Sequence, residues 1–140
     1  MFENILLAVD GSEHALKAAH AASSLANAMN SQTLRIVVAY NTIPVHLGDP
    51  YMQNAIGARI SETEEILQRA VQVVWAVSAQ IYTEMIEGDP AETILEAART
   101  RDSDLIIMGA RGLGKLHGLL LGSTSQKVLS LAVCPVMIVR

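Results

Sequence analysis

Short runs of apolar residues recur along the chain, and longer segments with amphipathic or alanine-rich faces separate them. Nearly continuous apolar runs of this length are typical of strands that are buried on both faces. The third run alternates with polar residues, so we expect it near an edge of a sheet. The predicted strands cover residues 4–9, 34–40, 79–87, 105–108 and 136–139.

The segments between these strands carry signals for helices. Asp89 and Pro90 provide an N-cap and a proline at the first helical position, which mark a helix start. Trp75 falls on the apolar face of its predicted helix, so we expect it in the core. The polar residues 41–58, with their prolines and glycine, predict a loop. The predicted helices cover residues 12–29, 61–78, 90–101 and 123–132.

The regular alternation of strand and helix predicts an α/β fold with a five-stranded parallel sheet, doubly wound in the Rossmann-like manner, with right-handed crossovers. The chain has 140 residues, and a domain of that size buries roughly 70% of its unfolded surface. Hydrophobic residues make up 51% of the chain and charged residues 17%, which favours a large core over disorder. We therefore expect residues 1–140 to form one domain.

A glycine-rich stretch follows the fourth predicted strand and leads into the last predicted helix. It begins with Gly109-Ala110-Arg111-Gly112 and ends with Gly122-Ser123-Thr124-Ser125. Glycines let the backbone approach a bound group closely, and Ser123 with Gln126 has the spacing of a capping box. Free amides and the helix dipole at such a start favour an anion, most often phosphate.

Two familiar phosphate-binding loops are excluded. The residues from Gly109 to Lys115 match most of a Walker A motif, but Leu116 stands where a Ser or Thr should hold magnesium. The dinucleotide-binding fingerprint fails because His117 stands where its third glycine belongs.

The net charge of −4 conceals an uneven distribution, because residues 105–140 contain no Asp or Glu. A basic region around the glycine-rich stretch of an acidic protein suits a small anion and not a nucleic-acid backbone, although it also fits a solvated surface loop. No apolar run approaches the roughly 18 residues of a membrane span. The single cysteine permits no internal disulfide, so we expect a cytoplasmic protein without a membrane or nucleic-acid partner.

The spacing Gly109-x2-Gly112-x9-Gly122-Ser123 resembles the signature of the universal stress protein family, in its nucleotide-binding branch. The resemblance extends over nearly the whole chain. It includes residues 5–12, residues 87–92 and the Cys134-Pro135-Val136 segment. Each short segment alone is weak, but their order and spacing together are specific.

The resemblance implies the strand order 3-2-1-4-5, which places the first and fourth predicted strands side by side. It also implies a bound adenine nucleotide, ATP or AMP or ADP. Separately from the resemblance, the Asp10 carboxylate could hold a Mg²⁺ ion through water. The implied contacts are Ala8, Val9 and Val38 for the base, Asp10 and Gly109 for the ribose, and Gly112, Gly122, Ser123, Thr124 and Ser125 for the phosphates, with Arg111 and Gly114 as further contacts.

No catalytic constellation is visible in the sequence, since phosphoryl transfer needs a held metal and a group that orients the nucleophile. We therefore expect a regulatory protein of the stress response that acts as a nucleotide-dependent switch, to which an unknown protein partner responds. Two alternatives stay open: a slow ATPase or self-phosphorylating enzyme, with Ser123, Thr124 or Ser125 as acceptor, and an interaction module that binds no nucleotide. Asp10 has an alternative role as well, that of supporting the first helix.

In the implied strand order, residues 136–139 lie at an edge of the sheet. They are apolar on both faces and carry no charge before Arg140, whereas monomeric proteins usually protect such an edge. Pairing of two copies about a two-fold axis would cover it, and the family resemblance points the same way. We expect a homodimer through residues 136–140; the alternative is that a loop of the same chain covers the edge.

Overall fold

A computed structural model of the chain describes residues 1–42, 48, 50–113 and 120–140. Strands and helices alternate along these residues, as the sequence predicts. The strands are β1 (Asn4–Ala8), β2 (Thr33–Tyr40), β3 (Gln80–Glu87), β4 (Leu105–Gly109) and β5 (Val136–Val139). The helices are α1 (Glu13–Met29), α2 (Tyr51–Val74), α3 (Pro90–Thr100) and α4 (Ser123–Leu131).

The five strands form one parallel sheet in the order β3-β2-β1-β4-β5, so the predicted fold class and strand order are confirmed. β1 and β4 are neighbours, with Ala8 opposite Met108. β3 and β5 lie at the two edges, as expected for the third and the last predicted strands.

Helices cover both faces of the sheet and create two apolar layers. On one face, α1 and α2 pack on alternate residues of the central strands, among them Leu7, Ile36 and Ile107. On the other face, α3 and α4 pack on the intervening residues, including Leu6 and Ile106. The alanine stripe of α1 is fully buried, which lets this helix lie close to the sheet.

Two expectations about α2 are wrong. The helix starts at Tyr51, well inside the predicted loop, while residues 43–47 and 49 lie outside the described part of the chain. Its first three turns are mostly exposed, so they lack the apolar periodicity from which a helix is predicted. Trp75 is 75% exposed and not in the core, because it follows the last turn as the C-cap of α2.

Within the described residues, no helix is both long and apolar enough to cross a membrane.

Gly109 at the end of β4 allows α1 to approach the sheet. A Cβ at this position would lie 2.7 Å from the Cβ of His14 and 2.8 Å from its backbone carbonyl carbon. Backbone cannot move aside as a flexible side chain can, so any larger residue here forces α1 away from β4. The glycine therefore serves the packing of α1 as well as the loop that follows.

We expect Gly109→Ala to lower the free energy of unfolding by about 1–3 kcal/mol, the usual cost of overpacking. Gly57→Ala is the matched control. A Cβ at Gly57 would meet no atom within 4 Å, and alanine should stabilise this helical position by about 0.5–1 kcal/mol. Urea denaturation of both variants measures the difference, and equal effects at the two positions would contradict the close approach of α1.

Candidate functional site

A cavity opens at the carboxyl ends of β1, β2 and β4, on the face of the sheet that α3 and α4 cover. Ala8, Val37 and Met108 line it from the three strands, and Pro90 and Ile94 line it from the first turns of α3. This end of the cavity is therefore apolar. Its position agrees with the general rule that ligands of open α/β sheets bind where neighbouring crossovers leave to opposite faces.

The turn after β1 forms one polar wall of the cavity. The Ser12 N–H donates to Asp10 Oδ1 over 3.0 Å, and Ser12 in turn caps α1 by accepting from the Ala15 N–H at 3.1 Å. Gly11 between them has φ +86°, a backbone conformation that favours glycine. Asp10 thus supports the start of α1, which was its alternative role, but this support uses only one of its two oxygens.

The second carboxylate oxygen of Asp10 lies against the glycine-rich stretch. A Cβ at Gly112 would overlap Asp10 Oδ2, so the glycine permits the contact between the two loops. The Ser12 hydroxyl also donates to the Arg111 carbonyl oxygen at 3.4 Å. The two loops that the sequence singled out therefore meet at the mouth of the cavity.

The start of α4 forms the other polar wall, and it differs from the prediction by one residue. Gly122, not Ser123, is the N-cap, and no side chain of the described residues caps this helix. The Gln126 N–H donates to the Gly122 carbonyl oxygen at 3.0 Å, so the proposed capping box does not form. The first amides of an α-helix have no partner within the helix; here they belong to Ser123, Thr124 and Ser125, which all line the cavity.

The three hydroxyl-bearing residues of α4 differ in their surroundings. Ser123 is exposed, Thr124 is half-buried and Ser125 is buried. The Ser125 hydroxyl donates to the Ala110 carbonyl oxygen at 2.7 Å and also lies 3.0 Å from the Gly122 carbonyl oxygen. Its proton is therefore engaged by the protein's own backbone.

Most of the residues expected at the site lie together around this cavity. Val38 is the exception: its side chain is buried in the α1–α2 layer on the other face of the sheet, because neighbouring residues of a strand point to opposite faces. Gly114 lies outside the described residues. The expected residues that line the cavity are Ala8, Val9, Asp10, Gly109, Arg111, Gly112, Gly122, Ser123, Thr124 and Ser125.

Sequence reasoning missed the apolar lining that comes from distant segments. Val37 and Ala39 line the cavity from β2 where Val38 was expected. Because side chains alternate along a strand, these two residues are the ones that face the side opposite to Val38. The sequence indicated Pro90 only as part of a helix start, and Ile94 lies one turn further along the same predicted helix. Nothing in the local sequence shows that α3 begins beside the ends of β1 and β4.

Charged side chains flank the cavity where α3 begins. The Glu92 N–H, which donates to the carboxylate of Asp89 at 3.0 Å, holds the pKa of Asp89 below its usual value. Lys127 of α4 lies 3.5 Å from both Asp89 and Glu92 and so links the two helices. Among the described residues, no group of three His, Cys, Asp or Glu side chains is arranged to hold a metal ion.

Comparisons with known proteins agree on one family. The sequence model of the universal stress protein family matches residues 1–140. A protein of Thermus aquaticus, described as the universal stress protein in the QAH/OAS sulfhydrylase 3' region, is 42% identical over 140 residues, which is all of both chains.

Solved structures extend the agreement to the fold. Universal stress protein UspA from Lactobacillus plantarum has a TM-score of 0.87 and 29% identity, over 99% of this chain and 98% of that one. A universal stress protein in complex with cAMP has a TM-score of 0.74 and 27% identity, over 97% of this chain and 95% of that one. Because the family model and the Thermus aquaticus relative both match over the full length of the sequence, the chain belongs to the universal stress protein family.

Proposed function

We propose that this protein binds an adenine nucleotide, ATP or AMP or ADP, in the cavity between the β1 and β4 loops and acts as a nucleotide-dependent regulatory protein. One observation carries the proposal: the cavity is apolar at one end and presents the first amides of α4 at the other. A related protein of the same fold was crystallised with cAMP, which supports the choice of an adenine ligand.

The two ends of the cavity suit the two ends of a nucleotide. A purine base prefers apolar contact from residues such as Val37, Ile94 and Met108, with a few polar groups to orient it. The amides of Ser123 and Thr124, together with the helix dipole, favour the negative charge of a phosphate. Arg111 at the same rim adds a positive side chain.

Asp10 is suited to the ribose between these ends. Its Oδ1 accepts from the Ser12 N–H, while Oδ2 faces Gly112 across the mouth of the cavity and can accept from a sugar hydroxyl. We further propose that Asp10 holds a phosphate-bound Mg²⁺ ion through water, since Mg²⁺ commonly keeps several waters and few carboxylates.

Asp10→Asn should weaken the binding of AMP by about tenfold, because a hydrogen bond to a charged acceptor contributes about 1.5–3 kcal/mol. The Asn carbonyl oxygen can still accept from Ser12, so the melting temperature should hardly change. Glu13→Gln, which removes an exposed acid from the first turn of α1, is the control. Calorimetric titration decides the matter, and equal affinities of wild type and Asp10→Asn would remove Asp10 from the site.

Gly122 offers a graded test of the phosphate end. Its φ of −76° is open to any residue, and a Cβ there would lie 3.4 Å from the Arg111 Cα, which is ordinary contact. We therefore expect Gly122→Ala to fold and to bind, whereas the two γ-methyl groups of Gly122→Val should obstruct the approach of a phosphate and abolish binding of ATP. Gly122 is buried and an added Cβ already contacts backbone, so the valine should cost about 1–3 kcal/mol of stability, as overpacking usually does.

Titration of both Gly122 variants with ATP measures the difference. Unchanged affinity in a folded Gly122→Val protein would argue against a phosphate at this position.

Slow ATP hydrolysis or self-phosphorylation is the second candidate function of the same site. Incubation with labelled ATP and Mg²⁺ distinguishes either activity from binding alone, and the exposed Ser123 hydroxyl is the acceptor that the structure leaves most accessible.

We also propose that two copies pair through β5 and Arg140. β5 is an edge strand, and each of its four residues is only half-buried. Val133, just before it, is 91% exposed. Apolar surface of this kind beside an unprotected edge favours pairing with a second copy.

Light scattering at micromolar concentration tests the dimer. We expect a mass near twice 15.0 kDa for the wild type, and a mass near the single value for Ile138→Lys, which places a charge at the proposed interface. Val133→Lys is a second perturbation, because its exposed position leaves the core untouched. A wild-type mass near 15.0 kDa would refute the dimer, and variants that stay dimeric would place the interface elsewhere.

A further inference from the structure

The carbonyl oxygen of Ala110 accepts two hydrogen bonds from the start of α4. One comes from the Gly122 N–H at 2.7 Å and the other from the Ser125 hydroxyl at 2.7 Å. Ala110 itself is completely buried, and its own N–H donates to the Val139 carbonyl oxygen at 2.8 Å. One residue, Ala110, therefore joins the end of β4, the end of β5 and the first turn of α4 through its two backbone groups.

We propose that the Ser125 hydroxyl is a positioning group of the nucleotide site and not a ligand of the nucleotide. By holding the first turn of α4 against Ala110, it keeps the amides of Ser123 and Thr124 directed at the cavity, and this role rests on the proposed nucleotide binding. Ser125 is 2% exposed, and a hydroxyl has a single proton to donate. That proton is already given to the backbone.

The position of the hydrogen bond explains why it affects the site. Residues 111–121 separate Ala110 from Gly122, so these two residues close the base of the glycine-rich stretch. Two bonds to one carbonyl fix the direction of the helix start more firmly than the Gly122 amide does alone. Arg111 and Gly112 follow directly after Ala110, and Ser123 and Thr124 follow directly after Gly122. Both sides of the proposed phosphate site therefore take their position from the Ala110 carbonyl group.

Removal of the hydroxyl should loosen this base without unfolding the protein. In Ser125→Ala the Ala110 carbonyl still accepts from the Gly122 N–H, so no buried acceptor is left without a partner. We expect the Gly122 amide to exchange its hydrogen about fivefold faster, the factor that corresponds to the loss of one hydrogen bond. Amides in β1 should keep their rates, whereas a general loss of stability would accelerate them as well.

The experiment measures amide exchange by NMR in nucleotide-free protein and, separately, the affinity for AMP and for ATP. Ser125→Ala should bind both nucleotides about fivefold more weakly, and Ser125→Thr, which keeps the hydroxyl, should restore both the exchange rate and the affinity. Ser130→Ala is the matched control, because the Ser130 hydroxyl donates to the Gln126 carbonyl oxygen within α4 and so holds no other element among the parts of the chain that the structure describes. Ser123→Ala should weaken binding without altering the exchange of the Gly122 amide.

Two results would overturn the inference. One is an unchanged exchange rate of the Gly122 amide in folded Ser125→Ala. If affinity also falls in that case, Ser125 is a direct ligand. The other is faster exchange with unchanged affinity for both nucleotides, which would show that the hydrogen bond does not serve the site. If Ser125→Ala does not fold, Ser125→Cys, a weak donor of similar shape, replaces it in the same measurements. Failure of the wild type to bind either nucleotide would refute the proposed function, while the exchange rates would still decide whether Ser125 holds the helix start.

Discussion

The structure depends on the burial of two neighbouring parallel strands, β1 and β4, beneath helices on both faces. Leu6, Leu7, Ile106 and Ile107 are completely shielded from solvent. Because no water reaches these strands, their backbone groups must pair with each other and with β2 and β5. Parallel pairing then brings the carboxyl ends of β1 and β4 to the same edge of the sheet.

The divergence of the chain at this edge creates the cavity. After β1 the chain enters α1, which packs on one face, whereas after β4 it leads to α4 on the other face. Neither helix covers the gap between the strand ends, which is why ligands of such sheets bind there. The topology thus sets the location of the cavity. The two loops supply its polar groups, which are the Asp10 carboxylate and the amides at the start of α4.

The sequence predicted which two loops contribute to the candidate site, but it did not predict the apolar residues that line the cavity. Asp10, Gly112 and Gly122 could be singled out because each lies in a loop that follows or precedes a recognisable strand or helix, and all three line the cavity. Val37 and not Val38 faces the cavity, since the side of the sheet on which α3 and α4 pack decides which residues of β2 contribute. The hydrogen bond of the Ser125 hydroxyl shows a related limit: its partner, the Ala110 carbonyl, follows β4 and lies 15 residues away in the sequence.

The sequence by itself determined the strands and the α/β class, because each depends on patterns within a few consecutive residues. Asp89, for example, caps α3 by a contact to Glu92, three residues away. The tertiary structure alone decided that α2 begins at Tyr51, that Trp75 is exposed and that Gly122 caps α4. These features depend on contacts between segments that are far apart in the sequence. The apolar periodicity of one segment does not show which other segment packs against it.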